Sequence, residues 1–406
     1  MSTQVPDVGE RCRIDRHEPT AEPLRIVTAT DVLAPVGGVE VCVFEDTTAL
    51  VGRGHRVELL YTESGIQRGD LEMLGVSLTG PVRFRFEPRR ALRHLASFVR
   101  SARTVRRLRA DVLWLNRPEN VIWAQVVSRI AGIPLVIHLH HAPNYRLEKL
   151  LTTGVSHFMA VSEHMKTVWV AAGIPADRVT VVHNAVPLDK YPVATPGDRR
   201  AARRLLDLPE KAKVGLYFGR ISRAKGVLSV VEAWRSLGFA PGEGVLVIAG
   251  DDVVDDAELQ SALDVLDEGT VLRLPNQNDV VPLLHAADVV MAPSWEEEAF
   301  GRVLVESMSA GVPVIGATVG GMVEVLTGDL RRFLVPPRDS AALAVALRGV
   351  LDWRVTEPDL GAKLRQHVET HFPHGAHLDA IARVLEAHRS RRRLVGRVRR
   401  PGVVDR

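Results

Sequence analysis

Glu298 and Glu306 stand eight residues apart in the stretch ADVVMAPSWEEEAFGRVLVESMSAGVPVIGATVGGMVE, residues 287–324. The apolar run 289–292 has strand length, Pro293 cannot continue a ladder, and residues 301–310 carry helix formers at helical spacing. Glu298 therefore falls on a loop, and Glu306 about two turns into the helix that follows. A loop carboxylate and a helix carboxylate in that relation can face one ligand. The amides that open the helix, 299–302, favour a phosphate or a ring hydroxyl oxygen. The local alternative makes Glu306 a solvated helix residue and Glu298 an acid favoured by the helix dipole. Gly311 ends the helix, 312–315 begins another strand, and Gly320-Gly321 permits close backbone approach before Glu324.

A second charged set lies upstream in GRISRAKG, residues 219–226, after the apolar run 214–218. Arg220 and Lys225 bracket a tight loop, and Gly226 opens a helix through Val230 and Trp234. A departing diphosphate needs fixed positive charge, which a planar guanidinium and a lysine point charge supply without metal. Taken in isolation, the two are an ordinary solvated loop.

The elements that position such groups alternate strand and helix. LRIVTAT from Leu24 reads as a strand, Gly37 and Gly38 as a loop, Val41, Phe44 and Leu50 as a helix face, and 56–61 as a strand. This is a beta-alpha-beta opening, the unit of a parallel sheet covered by helices. The Gly-Gly either admits a phosphate or sugar to the backbone or makes a tight connection. The G-x-G-x-x-G order and the Walker A sequence are missing. Strands recur at 111–115 and 135–139, and the second ends in His138, His140 and His141. Alternation puts His138 and His140 on one face. Zinc would require further ligands at a recognised spacing, so no metal site is assigned. At the carboxyl end of a parallel strand a histidine can donate to a phosphate or sugar hydroxyl, or it is simply a satisfied structural group. Ser162, after the strand 157–161, reads as a helix N-cap.

These motifs, in this order, resemble the family 4 retaining glycosyltransferases of the GT-B architecture. The resemblance rests on Glu298 and Glu306 with Phe300 and Gly301 between them, Gly320-Gly321 with Glu324, Gly219-Arg220 followed by Lys225-Gly226, and Gly37-Gly38 near the start. FMAVSE and VVHNAVP also match, with Asn184-Ala185 where the family usually has Asn-Gly. The resemblance covers about residues 24–388. It implies an α/β chain of two Rossmann-like domains facing across a cleft, with a C-terminal helix crossing back to the first domain. The expected divisions are a mobile extension 1–23, an acceptor domain 24–190, a linker 191–205, a nucleotide-sugar donor domain 206–372, a returning helix 373–388 and a basic tail 389–406.

The resemblance also implies roles. Arg220 and Lys225 would stabilise the departing diphosphate, Glu298 would accept from donor-sugar hydroxyls, and His140 is the best match to the family's strand-end histidine. Donor binding would further involve Gly37, Gly38, Gly219, Leu274, Phe300 and Gly301, with Glu306 accepting from the ribose and Leu274-Pro275 beside the base. No cofactor is expected beyond the nucleotide-diphosphate sugar as co-substrate, and the acceptor hydroxyl would attack from the front face. Two rivals are a GT-B nucleotide-sugar epimerase, which needs no acceptor, and a non-catalytic sugar-binding subunit, which would not retain the charged set.

Composition narrows the partners. A chain of 406 residues with 46% hydrophobic and 25% charged residues has room for two cores, and a net charge of +3 gives no nucleic-acid signal. Cys12 and Cys42 form no close metal-ligand pair, no apolar run reaches bilayer length, and the first residues lack the apolar centre of a signal peptide. A cytoplasmic enzyme is expected, its partners a nucleotide sugar and an unidentified small-molecule, glycan or lipid-linked acceptor. In 91–108, Leu92, Leu95, Val99, Ala102 and Val105 share a face and arginines occupy the rest. That helix reads as a solvated outer helix or, as in several relatives of the family, a peripheral contact with an anionic membrane. Asp251, Asp252, Asp255 and Asp256 surround a helix start, where acids are favoured without metal.

Overall fold

The computed structural model describes residues 22–143, 152–251, 257–266 and 269–390. Asp252, Asp255 and Asp256, and most of the two terminal segments, lie outside the described residues.

The first half alternates β1 (Arg25–Val32), α1 (Gly38–Gly52), β2 (Arg56–Glu63), α2 (Arg68–Met73), β3 (Ser77–Thr79), α3 (Ala91–Arg107), β4 (Val112–Leu115), α4 (Val121–Ala131), β5 (Leu135–Leu139), β6 (His157–Ala160), α5 (Glu163–Ala171) and β7 (Val179–Val181). All strand pairs are parallel, in the order β3-β2-β1-β4-β5-β6-β7. The central strands are short apolar runs because helices cover both faces, so no polar alternation is needed. Val112–Leu115 and Leu135–Leu139 are buried throughout.

The second half opens with α6 (Pro196–Leu205) and continues β8 (Lys213–Phe218), α7 (Val227–Arg235), β9 (Gly244–Ala249), α8 (Ala257–Asp264), β10 (Val271–Leu274), α9 (Val281–Ala286), β11 (Val289–Ala292), α10 (Arg302–Ser309), β12 (Val314–Ala317), α11 (Met322–Val325) and β13 (Leu334–Val335). Its strands are again all parallel, in the order β10-β9-β8-β11-β12-β13. Helices α12 (Ser340–Val350), α13 (Trp353–Thr356), α14 (Leu360–His371) and α15 (His374–Ala387) follow. In both sheets the strand order reverses beside the first strand, between β1 and β4 and between β8 and β11. A crevice opens at such a switch point outside the carboxyl ends of the strands, where ligands of open α/β sheets bind.

Helix α15 leaves the second half and packs on the first. Leu378, Ile381 and Leu385 join Ile26, Leu50 and Trp114 in one buried cluster. Arg53 bonds Asp379 at 2.5 Å, and the buried His377 bridges Asp46 of α1 at 3.0 Å and the carbonyl of His183 at 2.7 Å.

Two segments differ from their sequence reading. Within 191–205, residues Pro196–Leu205 form a helix opened by a capping box of Thr195 and Asp198. It carries no apolar stripe because its anchors are charged: Arg199 and Arg203 reach the buried Asp288 at 2.6 and 2.9 Å. Helix α3 packs inward through His94, Phe98, Ser101, Ala102 and Val105, whereas Leu92 and Leu95 stay exposed. His94 is held at that inner face by accepting from the Glu87 amide at 3.0 Å.

Candidate active site

Arg220 and Lys225 come from the loop after β8, and Glu298 from the loop after β11, the two strands that flank the second switch point. The two loops are fastened backbone to backbone. The amide of Trp295 donates to the carbonyl of Ala224 at 2.8 Å, and the indole of Trp295 donates to Ser229 Oγ at 2.8 Å. Gly226 has φ +77, and a Cβ there would lie 1.9 Å from the carbonyl oxygen of Pro293, so no other residue permits this approach. Lys225 Nζ is consequently brought to 2.5 Å from Glu298 Oε2, which also accepts from Ser294 Oγ at 3.3 Å. Both side chains remain partly open, 28% and 20% exposed. The Arg220 side chain is exposed and makes no hydrogen bond or ion pair with any described residue, while its carbonyl accepts from the Tyr217 hydroxyl at 2.6 Å.

Gly320 and Gly321 press on the other side of the Glu298 loop. The Gly321 amide donates to the Glu298 carbonyl at 2.7 Å, and a Cβ on Gly320 would sit 2.1 Å from that oxygen. Gly219 and Gly250 meet similarly, since a Cβ on Gly250 would lie 1.9 Å from the Gly219 carbonyl. Beside them Gly250, Asp251, Arg273, Leu274 and Pro275 line an open recess of about 380 Å³ at the ends of β9 and β10.

The remaining residues selected from sequence divide. Phe300 is buried and packs edge-on against Phe372 at 5.4 Å, with His183 at 6.1 Å, so its ring supports the loop from beneath. Gly301 has φ +89 and caps α10. Glu306 does not join the Lys225–Glu298 pair. Only 7% exposed, it binds Arg302 Nε at 2.6 Å, one turn back on the same helix.

Across the cleft, Gly37 is the N-cap of the fifteen-residue α1, and a glycine has no side chain to cap the first-turn amides. Asn276, next to the recess, donates to the carbonyl of Pro35 at 3.3 Å, which places this loop beside the second half. His140 is buried and shares a hydrogen bond of 3.1 Å with Asn116 Oδ1, while Asn116 Nδ2 donates to Thr28 Oγ1. Burial lowers the His140 pKa to about 3, so the ring is neutral, and its ring lies 4.2 Å from that of His138. His141 turns away to Glu119 at 3.1 Å.

Sequence reasoning missed Arg117 and the cross-cleft contacts of Glu324 and Ser162. Arg117, after β4, pairs with Glu40 and Asp31. Glu324 reaches over from the second half to accept from the first amides of α5, Glu163 at 2.9 Å and His164 at 2.7 Å, and from His183 at 3.2 Å. Burial works to raise the Glu324 pKa, but these donors hold it below the usual carboxylate value. Ser162, the N-cap of α5, accepts from Met165 and donates to the Ala299 carbonyl at 2.6 Å, tying the Glu298 loop to the first half. Ser162 as a cap was visible in sequence, but its second bond across 137 residues was not.

Residues 36–190 match the family described as Glycosyltransferase Family 4, and residues 212–352 match Glycosyl transferases group 1. The D-inositol 3-phosphate glycosyltransferase of Mycolicibacterium smegmatis is 34% identical over 181 residues, which are 43% of this chain and 40% of that protein. Its Mycobacterium tuberculosis counterpart is 38% identical over 156 residues, 37% of this chain and 31% of the relative. The matched segments thus span less than half the length of these curated relatives. Anabaena HepE, solved in complex with UDP-glucose, superposes with a TM-score of 0.77 at 23% identity, covering 90% of this chain and 100% of HepE. Sucrose-phosphate synthase from Thermosynechococcus elongatus gives 0.71 at 18% identity, over 90% and 98% of the two chains. Those likenesses establish the GT-B fold.

Proposed function

The chain belongs to the family 4 glycosyltransferases, and on that premise we propose that it moves a sugar from a nucleotide-diphosphate sugar to an acceptor hydroxyl with retention and without metal. The observation that carries this reading is the Lys225–Glu298 pair, locked across the second switch point with the unpaired guanidinium of Arg220 on the same loop. A lysine ammonium has three donors, so Lys225 can hold Glu298 and still meet a phosphate oxygen. Arg220 adds a fork suited to the other phosphate oxygens. As the bond to the anomeric carbon breaks, negative charge grows on the diphosphate, and both cations gain interaction energy at that moment.

Glu298, oriented by Lys225 and Ser294, accepts from donor-sugar hydroxyls. The base occupies the recess at Leu274 and Pro275, and the open amides at Gly37 and Gly38 face the donor from the first half. His140, neutral and giving its one ring N–H from Nε2 to Asn116 Oδ1, offers Nδ1 as an acceptor for a donor-sugar hydroxyl. The acceptor enters beside Asp31, Arg117 and Glu119, attacks on the face the diphosphate leaves, and passes its proton to the leaving phosphate. A cytoplasmic setting goes with this reading; among the described residues no helix is long and apolar enough to cross a membrane.

The test is a thermal-shift panel of UDP-, GDP-, ADP- and TDP-sugars, followed by turnover of the stabilising donor with candidate polyol, polyol phosphate and glycan acceptors. Product NMR reads the anomeric configuration, and excess EDTA should leave the rate unchanged. Conversion of the donor at full rate with no acceptor would identify an epimerase instead. EDTA-abolished turnover that magnesium or manganese restores would remove the role given to Arg220 and Lys225.

A further inference from the structure

One buried charge cluster outside the donor loops joins the two halves. Arg302, at the start of α10, divides its guanidinium between them. Nε holds Glu306 of its own helix at 2.6 Å, Nη2 holds Glu45 of α1 at 2.5 Å, and Nη1 lies 3.4 Å from Cys42 Sγ. Lys190, just before the chain crosses to the second half, takes the other oxygen of Glu45 at 2.8 Å. Glu45 and Glu306 are 5% and 7% exposed, so the two carboxylates meet Arg302 in a largely dry setting, with the exposed Lys190 at its edge. Burial pushes the Cys42 thiol up to about 12, which leaves it neutral and outside this charge balance.

We propose that Arg302 and Glu45 are positioning residues that couple the arrangement of the two halves to nucleotide affinity, by keeping one oxygen of Glu306 available to the ribose. This rests on the donor reading above. Glu306 Oε1 is committed to Arg302, whereas its Oε2 makes no hydrogen bond among the described residues. A buried guanidinium that loses one carboxylate satisfies itself on the other, because an uncompensated charge in that setting is expensive. Without Glu45, Arg302 turns its fork onto Glu306 and takes both oxygens, and the ribose hydroxyls lose their acceptor. Withdrawal of α1 when the halves separate has the same effect. Reciprocity then requires that a bound nucleotide favour the joined arrangement.

Calorimetry with uridine, guanosine and adenosine diphosphate on the full chain tests this. Glu45→Gln keeps shape but removes the charge, and it lies on the half opposite the nucleotide. It should weaken the best diphosphate by about tenfold, as should Arg302→Lys, within the usual range of intersite coupling. Donor KM should rise in parallel while kcat stays within about twofold. The double variant should bind no more weakly than the poorer single one, since both act through Glu306. A merely structural contact would lower Tm and leave the diphosphate Kd and the KM-to-kcat split alone. If wild type binds a diphosphate and folded Glu45→Gln and Arg302→Lys bind it equally well, the coupling is wrong. If wild type binds none of the three and turns over no nucleotide sugar, the donor reading itself fails and the coupling falls with it.

Discussion

Replacing Gly320 with alanine should disable turnover while leaving most of the nucleotide site in place. Gly320 has φ +51, a conformation that costs an L residue about 1–2 kcal/mol. The new Cβ would lie 2.1 Å from the carbonyl oxygen of Glu298 and 2.8 Å from its amide nitrogen, against an ordinary contact starting at 3.4 Å. The Glu298 peptide must therefore withdraw by about 1.3 Å, taking with it the 2.7 Å bond from the Gly321 amide. A misplacement of about 1 Å in a group that orients the substrate costs on the order of a hundredfold in rate. Gly328→Ala is the matched control, because Gly328 has φ +56 but no heavy atom within 4 Å of the point a methyl group would occupy. Urea unfolding should show both variants destabilised, and steady-state kinetics should show the hundredfold loss in kcat/KM for Gly320→Ala alone. Calorimetry should find the diphosphate affinity of Gly320→Ala little changed, since Arg220 is on a different loop. Full activity in a Gly320→Ala variant destabilised no more than the control would refute the claim that this glycine sets the position of Glu298.

The charged groups should fail differently when truncated. Arg220→Ala should lower kcat by about a hundredfold, whereas Glu298→Ala should keep diphosphate affinity and relax discrimination among donor sugars; equal loss of diphosphate binding in both would end that division of labour. The Asp46–His377 pair predicts a pH dependence for the docking of α15. Burial opposes charge on both groups, but Asp46 overrides it and raises His377, while His377 holds Asp46 below its usual value. The histidine contribution is complete below about pH 6.5 and is lost as pH rises through the raised folded value; the aspartate contribution is present above about pH 3.8 and is lost as pH falls through the depressed one. The Tm gap between wild type and His377→Gln should therefore narrow as pH rises above about 6.5, and a constant gap counts against a charged pair. Finally, α3 exposes Leu92 and Leu95 beside Arg93 and Arg100, so sedimentation with anionic vesicles should exceed that with neutral ones and fade with salt; equal partitioning removes the electrostatic contact.

Much of the fold was legible because parallel strands buried on both faces appear as short apolar runs, so 135–139 and 289–292 coincide with β5 and β11. The edge strands β3 and β13, of three and two residues, are too short to leave such a run. Helix α6 escaped notice since it docks by guanidinium groups on Asp288 rather than by an apolar stripe, and hydrophobic periodicity cannot detect that. In α3 the polar His94 and Ser101 face inward and Leu92 outward, which inverts the usual assumption at three positions of one helix. At the site, residue types and local spacing suggested Arg220 with Lys225 as one set and Glu298 as another. The meeting of Lys225 with Glu298 joins residues 73 apart, which no local pattern encodes.

Glycines carry the part of the site that charged residues cannot. Each half closes its sheet with loops that leave the carboxyl ends of neighbouring strands, and the loops from β8 and β11 must approach closely enough for a lysine to touch a glutamate. Side chains between the backbones would hold the loops apart, and Gly226 against Pro293 and Gly320 against Glu298 show contacts that even a methyl group would break. Three of the links between the halves lie beside these loops: Ser162 to Ala299, Glu324 to the start of α5, and Arg302 to Glu45. Two of these three spring from the segment between Glu298 and Glu306. That segment therefore has two tasks, orienting a ligand and joining the halves, and the stacked glycines behind it keep a change in one from being absorbed before it reaches the other.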